Sequence, residues 1–284
     1  MISLSGFTFS HLKELVQFIC LFPQLRTLKV VNDDYDAPKP ADLTKALRNF
    51  DLPYLDTVQM ELVQTENRPR GSTPAQSPLV IHLVDWLTSS LIAGHLHCLW
   101  MTYTVESVQD DYETVEVMNR LLKACGSSLE ELAIAVQTAP GFNQTWSLDN
   151  LKGLELGHNR NLKHLYMYRI PWRTISGFLP TIISTSNSRR METMSLTFLP
   201  TTEEWPPDIR IEPGLYQFDV FMELDAILAG NFSTLRRLDI DFNGTVDQDS
   251  FNILRYFPKL SAQNGVVCIG SVDEEALRPK WGLP

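Results

Sequence analysis

The sequence is short of positive charge: 24 Lys and Arg stand against 34 Asp and Glu, a net charge of −10. A surface that follows a phosphate backbone needs an excess of cations, so neither nucleic acid nor an anionic membrane is the expected partner. No uninterrupted apolar run approaches the ~20 residues that cross a bilayer. With 14 Gly and 17 Pro in 284 residues, the chain is neither collagen-like nor linker-dominated. Cysteine is sparse, and Cys20, Cys98, Cys125 and Cys268 sit far apart in apolar segments. That pattern reads as buried thiols, because disulfide frameworks and zinc sites cluster their cysteines. The first ten residues have no early base, no continuous apolar core and no small-residue cleavage site, so cytosolic or nuclear residence is expected. Also missing are G-x-S-x-G, P-loop, G-x-G-x-x-G and H-E-x-x-H motifs, so no enzyme activity, cofactor or metal is expected.

What the chain does have is 44% hydrophobic residues and one returning pattern, apolar-x-x-apolar-x-apolar. Its copies are Leu25/Leu28/Val30, Leu55/Val58/Met60, Leu96/Leu99/Met101, Leu129/Leu132/Ile134, Leu162/Leu165/Met167, Met191/Met194/Leu196 and Leu235/Leu238/Ile240. Successive copies begin 29 to 44 residues apart, enough for a strand, a helix and two loops. Between them the apolar period changes from two to that of a helix, first at Leu12, Leu15, Val16 and Ile19 after Ser10. Further helices are expected over 79–92, 112–125 (closed by Gly126), 179–185, 219–229 (closed by Gly230) and 247–256, with Pro23 and Pro258 as stops. Strands at 2–8 and 266–270 complete an expected parallel sheet of eight or nine strands with helices on its other face. One α/β domain over 1–272 and a tail at 273–284 is the simplest division. The polar stretches 32–43, 64–78 and 200–214 read as outward loops.

Leu151-Lys-Gly-Leu154-Glu-Leu156-Gly-His-Asn159-Arg-Asn-Leu162 fits the leucine-rich-repeat consensus L-x-x-L-x-L-x-x-N-x-x-L, and Leu235-Arg-Arg-Leu238-Asp-Ile240-Asp-Phe-Asn243 fits its first nine positions. With phrases such as KACGSSLEELAI and LGHNRNLKHLYM, the chain resembles the irregular leucine-rich-repeat region of fungal F-box-type proteins over about residues 2–270. The resemblance implies an irregular solenoid, with the sheet on the concave face and helices on the convex face. It also implies a substrate-recognition arm for a cullin-type ubiquitin ligase. No F-box pattern precedes the first repeat, so a ligase adaptor is a partner only if an F-box is supplied elsewhere. Because 151–156 and 162–168 are too close for two solenoid turns, 162–168 is taken as the sheet strand and 151–156 as an extended approach.

Alternation along each strand sends the residues between the core positions to the open face. The central column there runs Lys29, Gln59, Trp100, Ala133, Tyr166, Ser195, Asp239. The column before it includes Glu131, His164 and Arg237, and the one after it Ala135, Tyr168 and Asp241. Trp100 and Tyr166 are expected to stand about 10 Å apart, two strand spacings, with Ala133 as a floor between them. Such a slot suits an extended peptide, and Trp100, Tyr166, Tyr168, His164, Glu131 and Ala133 are the candidate partner-binding residues. His95 and His97 flank Leu96, but an H-x-H pair without further ligands is a weak metal signal. The expected function is therefore non-catalytic protein binding. A free-standing repeat scaffold and, further off, an α/β enzyme are the alternatives.

Overall fold

Each copy of the repeated pattern forms a strand because its alternating apolar residues, several β-branched, can bury one edge-on row against a helix layer. The computed structural model describes residues 2–4, 12–31, 53–62, 78–90, 92–105, 112–138, 149–171, 175–199, 218–241, 256–262 and 266–269. The strands are β1 (Ile2–Leu4), β2 (Thr27–Val31), β3 (Thr57–Leu62), β4 (Cys98–Val105), β5 (Glu131–Thr138), β6 (His164–Pro171), β7 (Thr193–Leu199), β8 (Arg237–Asp241) and β9 (Val266–Ile269). They form one nine-stranded parallel sheet whose spatial order is the order of the sequence.

Parallel neighbours require a crossover, and among the described residues six of the eight connections carry an α-helix. They are α1 (Leu12–Cys20), α2 (Pro78–Ser89), α3 (Tyr112–Cys125), α4 (Ile175–Thr185), α5 (Phe218–Asn231) and α6 (Pro258–Ala262). In α1 the inward residues Leu15, Val16 and Ile19 are fully buried while Lys13 and Glu14 face solvent. The same core cluster holds helix residues such as Leu83, Leu121, Ile182 and Leu224, and strand residues such as Leu28, Leu99, Leu132, Leu165 and Leu238. One face of the sheet therefore carries the helices.

Three expectations need correction, and a fourth gains a detail. Pro258 opens α6, which suits a residue whose missing N–H is unneeded in the first turn, and the helix it is expected to stop lies outside the described residues. Gly230 lies inside α5, whereas Gly126, at φ +52, does follow α3 as a left-handed terminator. α4 begins at Ile175, well before 179, and contains Pro180. The 151–156 segment is not extended: Asp149–Gly153 is a 3-10 helix that places Leu151, Leu154 and Leu156 in the core. Polar stretches 32–43, 64–77 and 200–214, the expected helix over 247–255 and the tail 273–284 lie outside the described residues.

Asn159, the consensus asparagine, explains how the turn before β6 is held. It is completely buried, and its Nδ2 donates to the carbonyls of Leu122 at 2.9 Å and Gly126 at 3.0 Å. One side chain thereby satisfies two orphan acceptors at the end of α3. Asn119 works in the other direction, donating to Gly153 O at 2.7 Å and accepting from Glu155 N at 2.9 Å. At the far end of the sheet, buried Asp225 on α5 accepts from the N–H groups of Lys259 and Leu260, capping the first turn of α6.

Candidate functional site

The face opposite the helices is built in rows, because every neighbouring strand from β2 to β8 pairs in the expected register. Glu131, His164, Thr193 and Arg237 lie side by side across β5–β8. The next row is Gln59, Trp100, Ala133, Tyr166, Ser195 and Asp239. The third contains Thr102, Ala135 and Tyr168.

The structure brings the six candidate residues together but does not leave an open slot. Trp100 is 1% exposed, and Ala133 and Tyr168 are also buried. The rings of Trp100 and Tyr168 stack at 6.0 Å and 24° across the small alanines of β5, forming a second apolar cluster with Ala133 and Ala135. Small side chains on β5 are what let a large ring from each flank lean inward. Tyr166 packs against this cluster from its edge and is half-buried. It lies parallel to Tyr168 at 6.0 Å and 3°, and His164 continues the row at 6.4 Å from Tyr166. Glu131, His164 and Tyr166 remain partly accessible, and Arg237 is exposed.

A bulge shapes the end of this row. Pairing between β6 and β7 shifts between Met167 and Ile170, and Arg169 takes φ 57. Strict alternation would turn Arg169 inward after Met167. The extra residue leaves Arg169 exposed and returns Ile170 to the core.

Burial and charge also set the local acid–base state. Burial pushes the Tyr166 hydroxyl up to about 12, with the Glu131 carboxylate adding to the effect. Burial raises Tyr168 further. Both phenols therefore stay neutral and available as hydrogen-bonding tips. Asp239, in the row beside Tyr166, holds Arg237 through a 2.6 Å bond from Nε. Ser195 Oγ and Thr197 Oγ1 are buried on the neighbouring strand.

A second row was missed at the sequence level. Immediately before seven consecutive strands stand Arg26, Asp56, His97, Glu130, Lys163, Glu192 and Arg236. Their backbones form a ladder: each carbonyl from Arg26 to Glu192 accepts two N–H bonds from the next rung, at 2.8–3.1 Å. Their side chains alternate in charge around His97. Arg26 meets Asp56 at 3.5 Å, His97 approaches the same carboxylate at 3.7 Å, and Lys163 binds Glu130 at 2.8 Å. Lys163 also holds the Glu130 carboxyl below the usual range. Reading the repeat one position earlier than its outward columns would have exposed this alternation. His95, paired with His97 in the sequence reading, instead packs on Tyr54 at 5.1 Å.

Cys20, Cys98 and Cys125 are buried thiols, and burial pushes Cys125 up to about 12. Among the described residues no group of three or more His, Cys, Asp or Glu could hold a metal ion, and no helix is long and apolar enough to cross a membrane. No known protein family, curated protein or solved structure matches the chain.

Proposed function

We propose that the chain is a non-catalytic protein-binding module, an irregular leucine-rich-repeat-like solenoid whose concave sheet face contacts a protein partner. The observation that carries the proposal is the shared register of the apolar triplets from β2 to β8, which lines up the side chains of the opposite face in rows across seven strands, ahead of the β6–β7 bulge. Arrays of this kind grow by adding neighbours in sequence order and use the resulting face for extended contacts. Glu131, His164 and Arg237, with Tyr166 in the adjoining row, form the contact surface. Trp100, Ala133 and Tyr168 are the rigid layer beneath it. An aromatic tip beside charged groups, backed by a packed layer, is the composition that concentrates binding energy at interfaces.

The sequence resemblance extends this to substrate selection for a cullin-type ubiquitin ligase in the cytosol or nucleus, with the adaptor reached through an F-box supplied elsewhere. The test is quantitative pull-down from the native cell with the wild-type chain and a Tyr166→Ser variant whose folding is checked by its melting temperature. Ligase subunits on both baits, and another protein lost only from the variant, support a recognition arm. The same partners on both without ligase subunits would leave a free-standing scaffold whose site lies elsewhere.

A further inference from the structure

The charged ladder ends, over β6–β8, in an open cleft of about 530 Å³ lined by Lys163, Arg190, Glu192, Ser233, Thr234 and Arg236. Three cations and one carboxylate give this lining a charge of 3 − 1 = +2, in a chain whose net charge is −10. Lys163 is held by Glu130 at 2.8 Å. Arg190 and Arg236 have no carboxylate within ion-pair distance among the described residues, and both are exposed. Two guanidiniums outside any ion pair raise the local positive potential, tempered for Arg190 by the nearby Glu130 carboxylate, and an anion entering the cleft would relieve it.

The charge selects the anion. A carboxylate brings one negative charge, whereas a phosphomonoester brings about 1.5 to 2 and three acceptor oxygens. Guanidinium forks match phosphate oxygens two at a time, and an ammonium adds a point charge. Ser233 adds a hydroxyl donor. The Thr234 hydroxyl is already committed to the carbonyls of Arg189 and Met191, and so fixes the cleft wall.

We propose that this cleft receives the phosphorylated serine or threonine side chain of a protein partner, which rests on the protein-binding role proposed above. Lys163, Glu192 and Arg236 are each followed directly by a member of the sheet-face row, His164, Thr193 and Arg237. A peptide lying along that row would carry a phosphate over the strand ends into the cleft. The open shape and continuity with the face favour a side chain on a peptide over a free ion.

The experiment is a fluorescence-polarisation titration of the full chain with three labelled degenerate peptide pools, whose fixed central residue is phosphoserine, serine or glutamate. The expected result is binding of the phosphoserine pool at least about ten-fold tighter than the serine pool. This preference disappears in Arg190→Glu/Arg236→Glu and is competed by inorganic phosphate. Should the double variant melt early, Arg236→Gln serves in its place and is expected to lower the preference several-fold. Equal binding of all pools or an unchanged preference in the variants would overturn the proposal. If partner capture still depends on Tyr166 while the pools bind alike, only the phosphate site fails. If Tyr166 is also irrelevant to capture, the protein-binding role proposed for this face fails with it.

Discussion

Trp100 and Tyr168 stand on strands two apart and meet ring to ring at 6.0 Å above Ala133 and Ala135. The pair closes the gap that alternation alone would leave open, and so moves the accessible surface to Tyr166, His164, Glu131 and Arg237. Trp100→Ala should cost about 3–5 kcal/mol of stability, the usual range for deleting a buried tryptophan. Chemical denaturation measures it. A loss below about 1 kcal/mol, typical of surface substitutions, would mean that the rings do not form a packed layer.

Asn159→Ala should cost about 2–3 kcal/mol, because the carbonyls of Leu122 and Gly126 lose their donor inside the protein. Asn159→Asp should cost at least as much, since a carboxylate presents oxygen to oxygen. Denaturant midpoints of the two variants, compared with wild type, check both.

The helix-bearing face and the parallel sheet were legible in the sequence because both depend on periods that the apolar residues state directly, as at Leu132/Ile134 and Leu165/Met167. The aligned columns followed from the same periods. Side-chain reach was not legible: alternation names the face of Trp100 but not whether its ring leans over an alanine toward Tyr168. The 151–156 segment misled because leucines at consensus spacing serve a 3-10 turn as well as a strand when each can reach the core. The charge ladder went unread because it lies one residue outside the apolar pattern.

Alkaline pH should destabilise the fold. Tyr166 and Tyr168 have folded pKa values raised above the ordinary 10.0, and Cys125 above 9.0. The unfolded chain therefore loses these protons first, so stability is fully present below about pH 9 and falls as the pH rises through about 10 toward 12. Tyr168→Phe should flatten the fall above about pH 10. Melting temperature against pH checks the sign, and phenolate absorbance of the native protein should lag that of the unfolded chain.

The Glu130–Lys163 rung should be weak and salt-sensitive, since both side chains are substantially exposed. A double-mutant cycle with Glu130→Gln and Lys163→Met should return about 0.2–1 kcal/mol at low salt. The coupling should vanish near ~1 M salt, where the screening length is about 3 Å. A coupling that persists there would mean that the pair is shielded from solvent.

The face that carries the partner can be read directly by placing photo-reactive benzoylphenylalanine at position 166 in one chain and at position 116, exposed on α3, in another. Irradiation in the native cell should yield a discrete protein adduct from position 166 and none from position 116. Adducts from position 116 alone would place the partner on the helix layer and contradict a binding site on the sheet.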